Sequence, residues 1–575
     1  MLINKKDIVR LLEEIALYLE IKGENHFRIA AYRKAAQGLE RDVRSLDEID
    51  DFLTIDGIGK GTKEIIEEYL KTGTSTLLEQ LQKEIPETLL PLLKLPGLGG
   101  KRVSTLYKEL NITDLSSLKE ACLDGSILSL RGFGQKTVEN ILQALEEEGS
   151  RPERLPISYM LQLAKQIETY LQTIEDIEQY ELAGSLRRLE ETARDIDFII
   201  ATNKPGVVTE ALLRIDSIKD IIASGPTKVS VTIEDEYNVN VDFRLVTPEA
   251  YATTLHHFTG SKEHNVLMRQ LAKKREEKIN EYGVTKEKTD SVIQFTSEAK
   301  FFNHFGLHYV PPELRSGGKE LEYFSKRDKN TLLQLSDIQG DLHMHTTWSD
   351  GAHSIKEMVE AARSRNYRYI AITDHSKFLR VANGLNEDRL RKQREEIARL
   401  NEKYDDIHIF AGVEMDILPT GELDFTDEFL KEMDIVIAAI HSGFNQTEEE
   451  IMHRLQVACE NPYVQIIAHP TGRLIGRREP YAIDVDSLIN IAKETGTALE
   501  LNANPMRFDL KPTYLEKAKE ARVPIVINTD AHQTKTLQHI EYGVKVARKA
   551  WLKPSSVLNS WNIKDVQSFL SQKRP

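Results

Sequence analysis

Three aspartates on two alternating stretches are well suited to phosphate chemistry. Asp195 and Asp197 lie in the run 194–200, whose alternation of polar and apolar residues predicts a β-strand. Period-two geometry places both carboxylates on one face, where they repel each other unless divalent cations lie between them. Taken alone, this pair is equally well interpreted as an exposed strand face. Asp242, on the polar face of a second predicted strand at 239–244, completes the carboxylate set that two-metal phosphoryl transfer needs.

A short turn before the first of these strands suits phosphate binding. Gly184 and Ser185 carry little side chain, so their backbone amides can reach a triphosphate. The order Gly-Ser, Asp-x-Asp and a later single Asp resembles the palm of the family X DNA polymerases, the group of DNA polymerase beta. A second block, 257–265 followed by Arg269, agrees with this resemblance, because in that family it contacts the incoming nucleotide.

The resemblance implies a role for each residue of these blocks. The three aspartates would be catalytic and would hold two Mg²⁺ or Mn²⁺ ions, while Ser185 and Arg188 would bind the β- and γ-phosphates. Phe258 takes the place of the aromatic residue that helps exclude ribonucleotides, but His257 stands where tyrosine is usual, so the choice of sugar stays open. The implied nucleotide-binding residues are Gly184, Ser185, Arg188, His257, Phe258, Thr259, Gly260, Asn265 and Arg269, and Lys228 is expected near the primer.

Three glycine motifs recur between residues 55 and 136. Each reads hydrophobic-x-Gly-hydrophobic-Gly, precedes a predicted helix and has a lysine within a few positions. One such motif is usually a turn between helices, but three of them resemble helix-hairpin-helix motifs. In those motifs the glycines admit a DNA phosphate to the amino end of a helix, with little sequence preference. The expected DNA-binding glycines are Gly57, Gly59, Gly97, Gly99, Gly132 and Gly134.

The run 31–36 lies on a predicted helix and resembles the amino-terminal domain of family X polymerases. The resemblance implies that Tyr32, Arg33 and Lys34 contact DNA at the 5′-phosphate of a gap, whereas an ordinary solvated helix face is the alternative. In that family a Schiff-base lysine follows the first glycine motif. The matching position here is Ile65, and Lys63 should face elsewhere, so no lyase activity is assigned.

Seven β-rich runs alternate with helical stretches after residue 340. This order predicts parallel strands joined by helices, and seven units can close into a barrel whose functional residues gather at the strand ends. The runs cover approximately 341–345, 369–373, 408–413, 434–440, 464–468, 497–502 and 524–528. At or just after their ends stand His343, His345, Asp350, His375, Glu414, His441, His469, Asp530 and His532.

A lone histidine is more often structural than a ligand, but six at the ends of these runs, joined by three carboxylates, are hard to attribute to chance. Nitrogen and oxygen ligands suit Mn²⁺, Zn²⁺ or Fe²⁺, and nine of them are about right for three ions. The motifs His-x-His at 343–345, Thr-Asp-His at 373–375 and Thr-Asp-Ala-His at 529–532 resemble the PHP (polymerase and histidinol phosphatase) family. Its members hydrolyse phosphoesters, although some PHP domains are only structural. Arg473 and its neighbours could bind DNA phosphates or form a solvated loop.

Composition limits the cellular setting. The 575 residues are enough for several domains, and no apolar run is long enough to span a membrane. Two distant cysteines, Cys122 and Cys459, fit a reduced cytoplasm, and we expect a cytoplasmic monomer. The formal net charge of −15 argues mildly against a broad DNA-binding surface, unless backbone amides and metal ions meet the phosphates.

These patterns predict a multidomain chain with an α-helical DNA-binding region, an α+β nucleotidyltransferase palm with a thumb-like subdomain, and a (β/α)7-type PHP barrel. The predicted divisions are 1–85 (helical, first motif), 86–150 (fingers-like, further motifs), 151–226 (first part of the palm), 227–310 (remaining palm and nucleotide-selecting subdomain), 311–335 (linker) and 336–575 (PHP domain).

The predicted activity is gap filling by a family X polymerase acting on gapped or primed duplex DNA with dNTPs, in base excision repair. The PHP site is expected to be a 3′–5′ exonuclease and a candidate AP endonuclease. Two alternatives stay open. In one, the chain is mainly a 3′-end-processing nuclease with a weak palm; in the other, the PHP barrel is purely structural.

Overall fold

The computed structural model describes residues 5–42, 46, 49, 51–95, 98–130, 132–138, 140–142, 153–325 and 332–575. The chain divides into two compact units, Met1–Pro152 and Glu153–Pro575. No helix in the described ranges is both long and apolar enough to cross a membrane.

The first unit is helical in the part that the structure describes. The apolar stripe predicted for the first helix includes Ile8, Leu12 and Ile15. These side chains are buried against the helices α2 (His26–Arg41) and α5 (Gly100–Leu110). Asn25 caps α2 by accepting a hydrogen bond from Phe27 N. The helices are α1 (Lys5–Lys22), α2 (His26–Arg41), α3 (Lys60–Thr72), α4 (Thr76–Glu84), α5 (Gly100–Leu110) and α6 (Leu115–Leu123), with 3₁₀ segments Phe52–Thr54, Glu87–Lys94 and Ser126–Ser129.

A five-stranded mixed sheet forms the predicted palm. Its order is β2-β4-β7-β6-β5, in which β4 and β7 run parallel and the other neighbours antiparallel. Ile196 and Phe198 on β4 share a buried core with Leu163 on α7, so the opposite face is left for the polar residues. The elements are β1 (Leu155–Pro156), α7 (Ile157–Leu171), β2 (Gln179–Leu182), α8 (Gly184–Arg187), β3 (Thr192–Ala193), β4 (Asp195–Ala201), α9 (Pro205–Leu212), β5 (Ile218–Ser224), β6 (Lys228–Glu234) and β7 (Asn238–Val246).

A smaller subdomain follows the palm and has its own aromatic core around Phe301, Phe302 and Phe324. The predicted linker at 311–335 is wrong over 311–325, because Leu314 and Phe324 belong to this core and Arg315 is buried; residues 326–331 lie outside the described part. The elements are α10 (Tyr251–Thr259), α11 (Lys262–Lys273), the antiparallel strands β8 (Glu277–Ile279), β9 (Val284–Lys286) and β10 (Val292–Ile293), α12 (Glu298–His304), the 3₁₀ segment Pro312–Leu314 and α13 (Glu320–Ser325).

Seven parallel strands in sequential order make the predicted barrel. Its seam is closed where Met344 bridges Ala531, with His345 N donating to Ala531 O over 2.8 Å. The seven β-rich runs are confirmed as β11 (Gly340–Asp341), β12 (Tyr369–Ile372), β13 (His408–Asp416), β14 (Ile435–Ala439), β15 (Ile466–Ile467), β16 (Ala498–Asn502) and β17 (Ile525–Asn528).

Helices surround these strands, and the last of them covers the amino-terminal end of the barrel, where Phe569 packs with Tyr369 and Phe410. The helices are α14 (Ile355–Arg363), α15 (Glu387–Lys403), α16 (Asp427–Leu430), α17 (Glu448–Glu460), α18 (Val485–Thr495), α19 (Pro512–Ala521), α20 (Ile540–Lys549) and α21 (Ile563–Gln572), with 3₁₀ segments Leu335–Asp337, Arg380–Ala382, Thr534–His539, Pro554–Ser556 and Leu558–Ser560.

Candidate active sites

The register of two parallel strands brings the predicted palm aspartates together. Asp197 on β4 lies directly opposite Asp242 on β7, and Asp195 is on the same face two residues earlier. The pKa of Asp197 is raised to about 7, mainly by burial and further by the negative charges of Asp195 and Asp242. Lys228 Nζ lies 2.8 Å from Asp242 Oδ2 and offsets part of the negative charge. Arg194 Nε lies 3.6 Å from Asp195 Oδ2, but that pair is largely exposed. Three carboxylates that converge in this way fit divalent cations bound among them.

The turn before β4 approaches these carboxylates closely. Gly184 has a φ of +61°, and a Cβ on it would lie 2.3 Å from Asp197 Oδ2. Only glycine fits there, because any side chain would displace the carboxylate. Ala183 N also donates to Asp197 O over 2.8 Å, which fixes the turn to the strand. Ser185 follows within α8 and is half-buried, and its predicted role in phosphate binding stays a prediction.

The second predicted block meets this turn from the neighbouring subdomain. Arg188 Nη1 donates to Thr259 O over 2.5 Å, just before Gly260. Asn265 Nδ2 donates to His257 O over 2.8 Å and so fixes the end of α10 to α11. The remaining two residues of the block lie close by: Phe258 has the guanidinium of Arg244 4.6 Å from its ring centre, and Arg269 lies one turn after Asn265 on α11. The structure thus brings Arg188 into contact with Thr259 and places Gly260 beside it, while nucleotide binding by these residues stays a prediction.

Sequence reasoning missed a buried ion-pair network behind this block. Glu298 accepts from Arg187 Nη2 over 2.8 Å and from Arg315 Nη1 over 2.6 Å. Burial raises the pKa of Glu298, but the two guanidinium groups outweigh it and hold the pKa at about 2. The network joins the palm turn to the smaller subdomain. Arg187 could have been suspected from its place beside Arg188, whereas nothing in the local pattern marks Glu298 or Arg315.

The glycine motifs of the first unit lie at helix amino ends. Gly59 and Gly99 directly precede α3 and α5, whose first N–H groups lack helical partners. Gly57 has a φ of +91°, and a Cβ there would lie 2.6 Å from Lys34 O, so this close approach requires glycine. DNA binding by these turns stays a prediction. The described positions are Gly57, Gly59, Gly99, Gly132 and Gly134, and Gly97 lies outside the described residues.

The three residues of α2 that were predicted to contact DNA differ in how exposed their side chains are. Tyr32 is buried in the helical core, and burial raises the pKa of its hydroxyl, whereas Arg33 and Lys34 are exposed. Nearby, Ile65 is half-buried at the position of the family's lysine. Lys63 Nζ instead donates to Asp51 Oδ1 over 2.9 Å.

All nine residues predicted as metal ligands converge at the carboxyl-terminal end of the barrel strands. Glu414 on β13 is at the centre: its carboxylate lies 2.9 Å from His469 Nε2, 3.3 Å from His441 Nε2 and 3.5 Å from His343 Nε2. Burial opposes its charge, but the histidines around it hold the pKa of Glu414 well below its usual range. The groups that could hold an ion are His345, Asp350, His375 and His532; His343, His345 and Asp530; and His375, Glu414 and His441.

Two observations test whether these residues fit metal ions. His375 Nδ1 and Glu414 Oε2 are buried and 2.8 Å apart, yet neither makes a hydrogen bond within the described residues. His343 Nε2 and His345 Nε2 likewise lie 3.2 Å apart, both facing Asp530 Oδ1. Donor atoms that share one ion lie about 3 Å apart, and such convergence of lone pairs is costly without a cation. The donor set therefore fits divalent metal ions.

Buried carboxylates orient the predicted ligands and were not predicted. Glu500 Oε1 lies 2.7 Å from His343 Nδ1, and Asp416 Oδ1 lies 3.1 Å from His441 Nδ1. Such partners set which ring nitrogen faces the metal. A signal was present, because Asp416 follows Glu414 at the two-residue spacing of a strand face. Glu500 is likewise a charged residue within the apolar run of β16.

Arg473 binds the palm rather than solvent. It is buried, and its Nη1 and Nη2 donate to the Glu191 carboxylate over 3.0 and 2.8 Å. The suggestion that Arg473 contacts DNA phosphates is therefore wrong for this structure, since its fork is already filled. The loop that carries His469 is in this way attached to the segment that follows Arg188.

Comparisons with known proteins cover the parts of the chain that carry these two sites. Family models match at residues 3–75 (helix-hairpin-helix domain), 89–147 (SAM-like helix-hairpin-helix tandem), 254–316 (DNA polymerase beta thumb) and 341–504 (PHP domain). The chain is 56% identical to the DNA polymerase/3′-5′ exonuclease PolX of Bacillus subtilis (strain 168), over 99% of this chain and 100% of the relative. It is 30% identical to a probable phosphatase of Thermoanaerobacter sp. (strain X514), over 41% of this chain and 95% of that protein.

Proposed function

The chain belongs to the family X DNA polymerases that carry a C-terminal PHP domain, and on this basis we propose that it fills short gaps in DNA during base excision repair and trims DNA 3′ ends. The observation that carries the proposal is the completeness of both sites. Three carboxylates converge in the palm, and nine candidate ligands converge at the barrel end. The substrates of such an enzyme are DNA and dNTPs.

In the palm, Asp195, Asp197 and Asp242 would hold two Mg²⁺ or Mn²⁺ ions, which supply charge neutralisation for phosphoryl transfer when bound. One of these carboxylates would accept the proton of the primer 3′-hydroxyl. Ser185 and Arg188 would bind the triphosphate. The hydrogen bond from Arg188 to Thr259 O supports this role, because it joins the phosphate side of the site to the sugar side.

In the barrel, up to three Mn²⁺, Zn²⁺ or Fe²⁺ ions would supply a Lewis acid for hydrolysis of the terminal phosphodiester. Glu414 would hold more than one of them, since five histidines approach its two oxygens within 3.5 Å. Glu500 and Asp416 would fix the tautomers of His343 and His441. Cleavage at abasic sites would use the same residues. The complete ligand set argues against a barrel that only serves as a scaffold.

A primer-extension assay on a short-gap duplex tests both activities. The primer carries a 5′ label, and the products are resolved by length with all four dNTPs and Mn²⁺. We expect gap filling that Asp242→Ala abolishes, and 3′ shortening without dNTPs that His343→Ala abolishes. Shortening without any extension would contradict the polymerase proposal. Metal content without any shortening would identify the barrel as a scaffold.

A further inference from the structure

A loop beside the barrel metal ligands exposes apolar side chains. It comprises residues 376–385, which follow β12 and His375, and we call it the apolar tip. Val381 is 94% exposed and Phe378 is 40% exposed. Scattered exposure of single apolar residues is normal, so what matters here is the position of these two side chains in the same short loop, next to candidate metal ligands.

The backbone of the apolar tip is held firmly at both ends. Leu385 N donates to His375 O over 2.7 Å, and Ser376 N donates to Glu414 O over 3.0 Å. Between these ends, Phe378 N donates to Asp424 Oδ2, outside the loop, over 2.8 Å. The loop is therefore pre-organised, so its exposed side chains can bind a partner with little further loss of backbone entropy.

The anchors place the apolar tip at the open side of one metal group. The loop starts at His375, and further on Asn383 Nδ2 donates to Ser349 O over 3.2 Å, next to Asp350. His375 and Asp350 belong to the same candidate group, together with His532. The side chains of Asp350 and His532 are 34% and 39% exposed, whereas that of Glu414 is fully enclosed. The apolar tip therefore adjoins the exposed side of this candidate metal group.

We propose that Phe378 and Val381 stack on the unpaired base of the DNA 3′-terminal nucleotide, while Arg380 meets a backbone phosphate. This inference rests on the proposed 3′-exonuclease function. Arg380 is exposed and makes no ion pair within the described ranges, which suits an anionic backbone. An aromatic ring can stack on any base, so the contact serves an enzyme that shortens ends of every sequence. A fully paired end offers no free base face, so frayed or mismatched ends are the preferred substrates.

A terminal nucleotide without a base isolates this contact. Two single-stranded oligonucleotides, labelled at the 5′ end, differ only in their last unit, which is dT or a tetrahydrofuran abasic analogue. We expect wild type to remove dT about tenfold more efficiently than the analogue, as kcat/KM, because stacking is lost with the base. In Phe378→Ala the ratio should fall close to one, and Phe378→Tyr should retain it. Val381→Ser, at a side chain that supports no packing, should reduce it partly.

The control variant is Leu335→Ala, another exposed apolar residue in a different part of the unit, which should leave the ratio unchanged. Metal content is measured for each variant. An unchanged ratio in Phe378→Ala, or an equal loss on both substrates at normal metal content, would overturn the stacking proposal. Absence of shortening on both substrates in wild type would instead overturn the proposed exonuclease function.

A binding measurement gives a readout that needs no turnover. An oligonucleotide with 2-aminopurine at its 3′ end is added to metal-free protein, and stacking quenches its fluorescence. We expect the quench in wild type and in the control Leu335→Ala, and its loss in Phe378→Ala. Equal quenching in wild type and Phe378→Ala would contradict the proposal and leave the apolar tip to another partner.

Discussion

Asp197 is held in an unfavourable charge environment when no metal is bound. Its pKa of about 7 lies above the ordinary value of 3.8, and burial beside Asp195 and Asp242 is the cause. A raised carboxyl pKa means that protonation stabilises the folded form, and that this stabilisation is lost as the pH rises from about 4 to about 7. A bound divalent cation would reverse the penalty, because it favours the ionised form.

We therefore expect Asp197→Asn to raise the free energy of unfolding in EDTA at pH 8 by about 1–3 kcal/mol, and to have little effect at pH 4. Conversely, Mn²⁺ should raise the Tm of wild type more at pH 8 than at pH 5.5, and the increment should shrink in the variant. Urea unfolding and thermal melts measure both effects. Equal metal stabilisation in the two proteins would mean that the palm does not bind the ion.

Gly184 allows a sharper test of the same site. Gly184→Ala should reduce primer extension at least about a hundredfold, since the new Cβ meets Asp197 Oδ2 and the positive φ is strained. Gly206→Ala is the matched control, because a Cβ at Gly206 has no neighbour within 4 Å and the residue lies in α9. Extension rates on a gapped duplex give the comparison. Near-normal extension by Gly184→Ala would refute the close-approach argument.

At the scale of elements, Glu298 at the start of α12 connects α8 to the smaller subdomain. Glu298→Ala would leave the guanidinium groups of Arg187 and Arg315 buried without a counter-charge. We expect a loss of about 3–5 kcal/mol in the free energy of unfolding and a raised KM for dNTPs, because α8 precedes Arg188.

Glu210→Ala is the control for this variant. Glu210 pairs with Arg214 at an exposed position on α9, where ion pairs contribute at most about 1 kcal/mol. Denaturant unfolding of both variants should separate them clearly. Similar small losses in the two would show that the Glu298 network is energetically ordinary.

The elements also show where the sequence was informative. Strict alternation on β4 and β7 predicted both strands and the shared face of Asp195, Asp197 and Asp242. The barrel strands were predictable because buried parallel strands read as short apolar runs between helices. The packing of residues 311–325 could not be predicted in this way. Its buried residues include the charged Arg315 and Glu320, whose partners Glu298 and His264 are distant in the sequence.

The candidate metal site of the barrel was likewise predictable only in part. His343, His345 and their companions stand at run ends, which a parallel barrel gathers in one place, so their convergence could be predicted. Glu500 could not be assigned from its neighbours, because its role depends on a contact with His343 from the other end of the barrel sequence. Tyr32 is a further example. The resemblance to a family motif indicated that it contacts DNA, but its ring is buried, and burial depends on how α2 packs.

At the scale of the whole second unit, the palm and the barrel are joined by the pair Glu191–Arg473. Arg473→Met should lower 3′ shortening by about tenfold, because the loop carrying His469 loses its buried attachment. Glu191→Gln should have a smaller effect, since that carboxylate is partly exposed and an amide still accepts a hydrogen bond. A double-mutant cycle on exonuclease rate and Tm measures the coupling. Independent, additive effects would show that the pair does not position the loop.

The seam of the barrel has a consequence for how the enzyme is made. His343 and His345 follow the first strand, whereas Asp530 and His532 follow the last, and they meet only where Met344 bridges Ala531. On the ribosome, the palm carboxylates are all synthesised well before the residues that complete this seam. All the carboxylates of the synthetic site are thus present early, whereas the degradative site is assembled only once nearly the whole polypeptide has emerged.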